Sequence, residues 1–360
     1  MNRAEAGQRH HNSCKSVTPR KLLGLEPRSR ITQAGAKRAY RVDMKITVIL
    51  CTYNRCASLE KALESAAALS LPESTFWEIL VVDNNSRDET RDVVGRFCQE
   101  YPGKFRYIFE PTPGKSHALN TGLQNSDADI LAFMDDDVIV EPSWLQNLTA
   151  NLHNGEWAGA GGRILANWTF PPPKWLWVEA AWALAPLAIF DLGKTEGELK
   201  EAPFGTNMAF RREVFQKYGG FRTDLGPQPG SEIRGEDTEF GDRLLAGGER
   251  LRYESSAVVY HSLPEKRIRK DYFLAWWYDK GRSEIRSAGP AKGAICFRGV
   301  PISLFRNLAG AIPRWLFATK PSIRFHRKRG VWWKAGQIVE SYRQHTEKAL
   351  VKTQSRSAEA

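Results

Sequence analysis

The hydrophobic positions in the first third of the chain follow two alternating patterns. Short runs rich in β-branched residues, at 45–51, 77–83 and 129–135, are typical of buried strands. The stretches at 58–69 and 87–101 instead repeat their apolar residues with the spacing of amphipathic helices. Strands and helices that alternate in this way predict an α/β fold, with a mostly parallel sheet and helices on both of its faces.

Polar side chains follow the predicted strands. Thr52 and Asn54 come after the first strand, Asp83 ends the second, and Asp135–Asp137 close the run ILAFMDDDV. The carboxyl ends of parallel strands meet at one edge of the sheet, and ligands bind there. Three consecutive carboxylates repel one another unless a cation lies among them, although Asp is also common in ordinary turns. The pattern therefore predicts a ligand cleft with a bound cation and leaves a polar turn as the alternative.

The predicted cleft lacks the glycine-rich loops that commonly hold phosphates. The segment GKS at 114–116 resembles the end of a P-loop, but that motif needs a glycine five residues earlier, where Phe109 stands. No GxGxxG fingerprint follows the first predicted strand. An acidic cleft of this kind can instead bind a nucleotide diphosphate through Mg²⁺ or Mn²⁺, which prefer carboxylate, phosphate and water oxygens.

The formal net charge of +11 is concentrated at the two ends of the chain. Residues 1–44 and 318–360 each carry ten Lys or Arg and three acids, so the remainder has a net charge of −3. Nucleic-acid binding would place the positive charge in the folded body, so we expect no nucleic-acid partner. Residues 1–43 are predicted to be a disordered basic tail, with Met44 as an alternative start. Five irregularly spaced cysteines and no signal-peptide pattern indicate a cytoplasmic location.

Six stretches, taken in order, resemble one known family. They are TVILCTYNR, ILVVDNNSRDET, GKSHALNTGL, DILAFMDDDV, FGTNMAFRREVF and GEDTEFGDRLLAGG, and they lie within about residues 45–260. In this order they resemble the family 2 glycosyltransferases, which have the GT-A fold. The resemblance implies a domain at 44–262 that transfers a sugar from a nucleotide-sugar donor to an acceptor hydroxyl.

The resemblance implies roles on the donor side of the cleft. Asp83 would contact the nucleotide base, with Thr52 and Asn54 lining the same pocket and Lys115 close to the nucleotide. Two of these residues also have structural alternatives. Asp83 could close a turn after its strand, and Lys115 could be a solvated lysine in the first turn of a helix.

The resemblance also implies a metal site. Asp135 and Asp137 resemble the DxD pair of the family, the first directed toward the ribose and the metal and the second bound to the metal. Asp136 occupies the variable middle position. His261 ends a later strand-like run and is a third candidate ligand, or else a structural histidine. The cofactor implied is Mg²⁺ or Mn²⁺.

The catalytic residues that the resemblance implies lie in the stretch GEDTEFGD. Asp237 would be the general base that deprotonates the acceptor hydroxyl, and Glu236 would orient it or contact the acceptor. Attack on the face opposite the departing diphosphate would invert the anomeric centre. Both acids could instead only favour the N-terminal dipole of a helix.

The remaining chain is predicted to serve the acceptor and the membrane. The tryptophan-rich segment at 171–193 is either an acceptor surface or buried core. Residues 263–345 combine apolar runs, tryptophans and basic clusters, which predicts helices lying on a membrane surface, and residues 346–360 are predicted to be disordered. The acceptor would be a glycan or a lipid-linked intermediate at the inner face of the membrane.

Two other functions are compatible with part of the pattern. A sugar nucleotidyltransferase usually has a Gly-rich basic loop after its first strand, where this chain has CTYNRCAS. A non-catalytic carbohydrate-binding protein would not need to keep the DxD and ED acids. The sequence therefore favours an inverting glycosyltransferase of the hexosyltransferase type, in cell-surface glycan or polysaccharide synthesis.

Overall fold

The computed structural model describes residues 44–176, 181–231, 233–289 and 293–358. The basic tail predicted at 1–43 lies outside these described residues. Over the described part, the chain forms a central sheet, helices that cover it, and a C-terminal group of helices. No helix in these ranges combines the length and the apolar character needed to cross a bilayer.

The central sheet has a parallel half and a mixed half. The parallel half consists of β1 (Met44–Thr52), β2 (Thr75–Asp83), β3 (Phe105–Phe109) and β4 (Ile130–Asp135). The mixed half consists of β5 (Val138–Val140), β6 (Gly159–Asn167), β7 (Gly197–Leu199), β8 (Asn207–Arg211) and β9 (Leu251–Ser262). The spatial order is β3-β2-β1-β4-β8-β6-β9-β5, and β7 pairs with β9. Strand β8 joins the two halves, because it pairs antiparallel with β4 on one side and with β6 on the other.

Helices connect the strands and continue beyond the sheet. Those among the strands are α1 (Cys56–Ala67), α2 (Thr90–Glu100), α3 (Lys115–Gln124), α4 (Trp144–Thr149), α5 (Arg212–Tyr218) and α6 (Glu236–Ala246). Those of the C-terminal group are α7 (Lys270–Ala288), α8 (Ile302–Leu316) and α9 (Pro321–Ala358). Short 3₁₀ helices span Lys174–Leu176, Ala181–Leu187 and Glu265–Ile268, and a small hairpin pairs β10 (Cys296–Phe297) with β11 (Val300–Pro301).

The hydrophobic patterns account for these elements. In β1, every residue from Ile46 to Leu50 is at most 2% exposed, as expected for a strand covered on both faces. Helix α1 buries four residues that share one face, Leu59, Ala62, Leu63 and Ala66. The predicted α/β fold with a mostly parallel sheet is confirmed, and the first strands and helices lie within three residues of their predicted positions.

A second apolar core joins the tryptophan-rich segment to the C-terminal helices. Its buried members are Leu176, Leu187, Leu263, Ile268, Phe273 and Phe325. Trp175 packs edge to face against both Phe273 and Phe325, with ring centroids 5.1 Å apart in each pair. For Trp175, the structure therefore favours buried core over an acceptor surface.

Helices α7 and α9 cross closely because glycine lies at the contact on each side. A Cβ added at Gly281 would be 2.0 Å from the carbonyl oxygen of Trp333, and one added at Gly336 would be 2.0 Å from that of Tyr278. Next to this crossing, Glu340 is fully buried and accepts from the guanidinium groups of Arg282 and Arg286 on α7. The C-terminal group is thus held together by both backbone contact and paired charge.

Helix α9 is longer than the sequence pattern indicated. It ends at Ala358, so the disordered tail predicted from residue 346 is wrong over residues 346–358. This stretch contains neither proline nor glycine, and an Arg343–Glu347 ion pair at i,i+4 spacing supports the continuing helix.

Substitution of Gly281 with alanine tests the α7–α9 crossing. We expect Gly281→Ala to lower the free energy of unfolding by about 1–3 kcal/mol, because the new methyl meets a backbone atom that cannot rotate away. Gly330 lies on α9 with no atom within 4 Å of an added Cβ, so Gly330→Ala should be neutral or stabilising. Urea unfolding of both variants measures the difference, and equal midpoints would contradict the close crossing.

Candidate active site

The parallel register places the ends of β1, β2 and β4 side by side. Thr52 is paired with Asp83, and Cys51 is paired with Asp135. Asp136 and Asp137 follow directly in the turn after β4. The polar residues that the sequence placed at successive strand ends therefore lie together at one edge of the sheet.

Asp83 ends β2 with both carboxylate oxygens held by donors. The Ser86 backbone N–H donates to Asp83 Oδ1 at 2.9 Å, and the Tyr107 hydroxyl donates to Oδ2 at 2.8 Å. Burial, together with the neighbouring Asp83, raises the pKa of Tyr107 to about 12. The hydrogen bond from Ser86 closes a turn after β2, which the sequence analysis gave as an alternative role for Asp83. Each oxygen keeps a lone pair, so the fixed carboxylate can still accept an N–H from a ligand.

Thr52 and Asn54 are bonded to neighbouring loops. Asn54 has a left-handed backbone with φ of 52°, and its Oδ1 accepts the Arg87 backbone N–H at 2.7 Å. Its own N–H donates to Ser86 Oγ at 2.9 Å. Thr52 Oγ1 donates to Asp136 Oδ2 at 2.8 Å. Both side chains therefore fix the rim of the cleft through hydrogen bonds of their own.

Asp136 is buried, although the family resemblance treats its position as variable. It is 4% exposed and accepts from Thr52 and from Arg55 Nη1, the latter at 2.9 Å. Burial raises the pKa of Asp136 to about 6, although the Arg55 charge opposes this shift. Asp136 therefore ties the turn after β4 to the end of β1, a role that the sequence did not indicate.

Asp135 lies between a cation and a hydroxyl. Lys115 Nζ donates to Asp135 Oδ1 at 2.6 Å, and Thr206 Oγ1 donates to Oδ2 at 2.7 Å. Burial alone would raise the pKa of Asp135, but the Lys115 charge together with the hydrogen bonds from Lys115 and Thr206 outweighs it, and the pKa is lowered. Lys115 Nζ is also 3.7 Å from Glu236 Oε1. Lys115 is therefore a fixed countercharge between the two acidic motifs, and not a solvated lysine.

Asp137 is surrounded by nitrogen atoms. Arg55 Nη1 and Arg267 Nη2 contact Asp137 Oδ2 at 3.0 and 3.2 Å, and His261 Nε2 is 3.3 Å from Oδ1. Burial would raise the pKa of Asp137, but the charges of Arg267 and Arg55 oppose this, and the pKa is lowered. The carboxylate is therefore ionised at neutral pH.

His261 is oriented by the second apolar core. The ring is 2% exposed, and its Nδ1 is 2.7 Å from the carbonyl oxygen of Leu187. Because a carbonyl only accepts, Nδ1 carries the hydrogen, and Nε2 is the ring nitrogen that faces Asp137. Arg267 Nη1 donates to this nitrogen at 2.9 Å. The structure therefore places His261 against the DxD acid Asp137.

Glu236 and Asp237 begin α6 after Gly235, whose φ is 95°. Asp237 Oδ2 accepts the Gly205 N–H, and Oδ1 accepts the Thr238 N–H, both at 2.7 Å. Glu236 is 4% exposed, and burial together with the Asp237 charge raises its pKa to about 7. Both acids occupy the first helical turn, so the favourable dipole interaction is present beside any chemical role.

Two adjacent residues connect the acidic motifs, and sequence reasoning gave neither of them a role. The Gly205 N–H holds Asp237, while the neighbouring Thr206 hydroxyl holds Asp135. A Cβ at residue 205 would be 3.1 Å from Asp237 Oδ2, so glycine allows the close approach. Both residues belong to the stretch FGTNMAFRREVF, whose place in the ordered set of motifs was the available signal.

The residues present fit a divalent cation at one position. Among the described residues, no group of three or more His, Cys, Asp or Glu side chains is already arranged around a metal position. Asp137 Oδ1 and His261 Nε2 are nevertheless 3.3 Å apart, near the roughly 2.9 Å between adjacent octahedral ligands at Mg²⁺ distances. Lys115 and Thr206 hold the two oxygens of Asp135, each of which keeps one lone pair, and a cation between Asp137 and His261 requires the Arg267 guanidinium that contacts both to move away.

Comparison with known proteins shows what this chain is similar to. The family model for Glycosyl transferase family 2 matches residues 47–219. A glucosyl-dolichyl phosphate glucuronosyltransferase of Haloferax volcanii is 27% identical over 242 residues, which are 65% of this chain and 75% of that protein. The succinoglycan biosynthesis protein ExoM of Rhizobium meliloti is 29% identical over 234 residues, which are 65% of this chain and 70% of that protein.

A solved structure with a related outline is that of the mannosyltransferase PcManGT from Pyrobaculum calidifontis, in complex with GDP-Man and Mn²⁺. It is 18% identical, with a TM-score of 0.49 over 88% of this chain and 80% of that one. The family match shows a family 2 glycosyltransferase domain over residues 47–219. The protein is a glycosyltransferase, and its mostly parallel sheet with flanking and C-terminal helices is the α/β architecture that the sequence predicted.

The raised pKa of Glu236 predicts a pH-dependent stability. The pKa of Glu236 in the folded protein, about 7, lies above its unfolded value of about 4.3. Its contribution to the free energy of unfolding is therefore intact below pH 4 and is lost as the pH rises through 7. A glutamine at this position does not titrate. We therefore compare the free energy of unfolding of Glu236→Gln with that of the unsubstituted protein at pH 5 and at pH 8. We expect the difference to shift by about 1–3 kcal/mol in favour of the variant when the pH is raised from 5 to 8.

Urea unfolding at both pH values measures this gain. Glu213→Gln is the matched control, because Glu213 is 59% exposed and should give the same difference at both pH values. A Glu236→Gln difference that does not change with pH would contradict the raised pKa.

Proposed function

We propose that the protein is an inverting glycosyltransferase that moves a sugar, of hexose type, from a nucleotide diphosphate to an acceptor hydroxyl. The observation that carries this proposal is the link made by Gly205 and Thr206. Through these neighbours, the candidate base Asp237 and the DxD acid Asp135 are held in one rigid arrangement. A polar turn or a helix-dipole role would not need the two motifs to be joined.

The donor is proposed to bind along the strand ends. Asp83 would accept an N–H of the nucleotide base, and its orientation by Ser86 and Tyr107 supports this role. Thr52 and Asn54 would line the same pocket while holding its rim. In this proposal Lys115, which lies beside Asp135, contributes positive charge near the nucleotide, and Asp135 faces the ribose and the metal.

The proposed metal is Mg²⁺ or Mn²⁺, held by Asp137 and His261 with Asp135 nearby. The ionised Asp137 and the Nε2 lone pair of His261 are suitable ligands for either ion. When bound, such an ion would neutralise charge on the departing diphosphate. Asp137 and His261 are held in place by Arg55, Arg267 and the Leu187 carbonyl, so the chain itself fixes the ligand positions.

Asp237 is proposed to take the proton of the acceptor hydroxyl. Two backbone N–H groups and the Thr238 hydroxyl orient its carboxylate, and Oδ2 retains a lone pair for the proton. Glu236 beside it would orient the acceptor. A single displacement, in which the acceptor oxygen attacks as the diphosphate leaves, inverts the anomeric centre.

The acceptor is proposed to be a glycan or lipid-linked intermediate in cell-surface glycan or polysaccharide synthesis. The names of the two similar proteins, which refer to a dolichyl phosphate sugar and to succinoglycan, support this class. The protein would act in the cytoplasm, peripheral to the inner face of the membrane. No contact in the described chain favours a nucleotidyltransferase or a non-catalytic carbohydrate-binding protein.

Substitution of Asp237 separates the proposed base from a helix cap. With a donor identified by thermal-shift screening of nucleotide sugars, Asp237→Asn should leave donor affinity near normal and reduce transfer by roughly 10²-fold or more. The introduced asparagine must turn its NH₂ toward one backbone N–H, so a loss of about 1 kcal/mol in stability is also expected. Turnover must therefore be expressed per folded molecule.

Asp242→Asn is the matched control for this prediction. Asp242 lies on the same helix, is exposed, and undergoes the same chemical change. Its transfer rate should equal that of the unsubstituted enzyme. Near-normal turnover in Asp237→Asn would require a different base, with Glu236 as the next candidate.

A second substitution tests the metal site. We expect Asp137→Asn to abolish the metal-dependent part of donor affinity, because an amide oxygen is a poorer ligand for a hard cation than a carboxylate. Asp127→Asn is the control and should retain the metal-dependent part of donor affinity. The Asp127 side chain is 81% exposed and is not part of the candidate site. Calorimetric titration with and without Mn²⁺ distinguishes the two, and an unchanged metal dependence in Asp137→Asn would argue against Asp137 as a ligand.

A further inference from the structure

One face of α8 is apolar and exposed. We call the residues Ile302, Phe305, Ala309, Ile312 and Leu316 the α8 stripe, because their alternating spacing of three and four places them on one side of the helix. The four large members are each between 36% and 48% exposed. An exposed stripe of this kind is typical of a surface that binds a partner.

The side of α8 that adjoins the α8 stripe is already occupied. Leu304, Leu308 and Trp315 are half-buried on that side, and Trp315 packs edge to face against Trp332 of α9 with ring centroids 6.1 Å apart. The helix therefore cannot turn to bury the α8 stripe without losing this contact. No residue of α8 is fully buried, so the helix lies on the surface of the described protein.

Further exposed apolar side chains flank both ends of the α8 stripe. Before the helix, Ile295 and Phe297 are 78% and 62% exposed, and the Ile302 N–H donates to the Ile295 carbonyl at 2.9 Å. After the helix, Phe317 is 81% exposed. The hydrogen bond fixes Ile295 beside the start of the helix, so the apolar surface extends beyond α8 itself.

The charge around the α8 stripe has one sign. Between Glu284 and Glu340 the sequence contains eleven Lys or Arg and no Asp or Glu. Four of these cations, Arg298, Arg306, Arg314 and Lys320, are exposed on or next to α8. A second copy of the chain would bring like charges together, whereas an anionic lipid surface would attract them.

We propose that the α8 stripe is the membrane-docking surface of this protein, and that it lies in the plane of an anionic phospholipid bilayer. The apolar side chains enter the boundary between headgroups and acyl chains, and the flanking cations contact the lipid phosphates. This identifies the surface for the membrane association included in the proposed function. It does not depend on the transfer reaction, and its test uses no sugar donor.

The test compares two double variants of the full chain. Phe305→Gln with Leu316→Gln removes two members of the α8 stripe. Val339→Gln with Tyr342→Gln is the matched control, because these two apolar residues of α9 are 44% and 46% exposed outside the stripe. All four positions are exposed, so both variants should unfold at the same urea concentration as the unsubstituted protein.

Flotation with vesicles gives the readout. We expect the unsubstituted protein and the control to bind vesicles of phosphatidylglycerol and phosphatidylcholine, less strongly at higher salt, and to bind phosphatidylcholine alone weakly. The stripe variant should lose about 10-fold or more in vesicle affinity. Equal binding by the stripe variant and the control would overturn the proposal, as would absence of binding by the unsubstituted protein.

Sedimentation without lipid tests whether a second copy of the chain, instead of a membrane, covers the α8 stripe. The proposal predicts that the unsubstituted protein and the stripe variant have the same oligomeric state. A dimer that dissociates only in the stripe variant would assign the α8 stripe to a second copy of the chain and would overturn the membrane assignment.

Discussion

Repulsion among acidic side chains at one edge of the sheet is the constraint on which the rest of the site depends. The parallel register places the ends of β1, β2 and β4 together, and α6 adds Glu236 to the same edge. Buried carboxylates this close would protonate or separate without compensating charge. Lys115, Arg55 and Arg267 supply that charge through direct contacts, so the acids can lie together at this edge.

The positively charged partners divide the acidic side chains into two groups. Asp135 and Glu236 share Lys115, whereas Asp137 is paired with Arg55, Arg267 and His261. Only the second group contains two suitable metal ligands within contact distance. Arg267 donates to both of them, so a cation at this position would require the guanidinium to move. Because Arg267 lies on the 3₁₀ helix before α7, the proposed metal site and the C-terminal helices are physically connected.

Sequence reasoning succeeded where the chemistry follows a local pattern. The burial of β1 and the position of Asp83 could be predicted because a strand run and its polar end are adjacent in the chain. The buried role of Asp136 could not, since Thr52 holds it across 84 residues. The contact of Arg267 with Asp137 spans 130 residues and has no sequence signal. Likewise, the tail after residue 346 was misjudged because its polar composition hides good helix formers.

We propose that Asp137 and His261 form the cation site at which the donor diphosphate is held. Crystals grown with Mn²⁺ and the diphosphate of the donor's nucleoside, measured at the manganese absorption edge, test it most directly. The account predicts an anomalous peak roughly 2.1–2.2 Å from both Asp137 Oδ1 and His261 Nε2, with the Arg267 guanidinium displaced. Bound diphosphate with no peak there, or with Arg267 still bonded to both side chains, would contradict it.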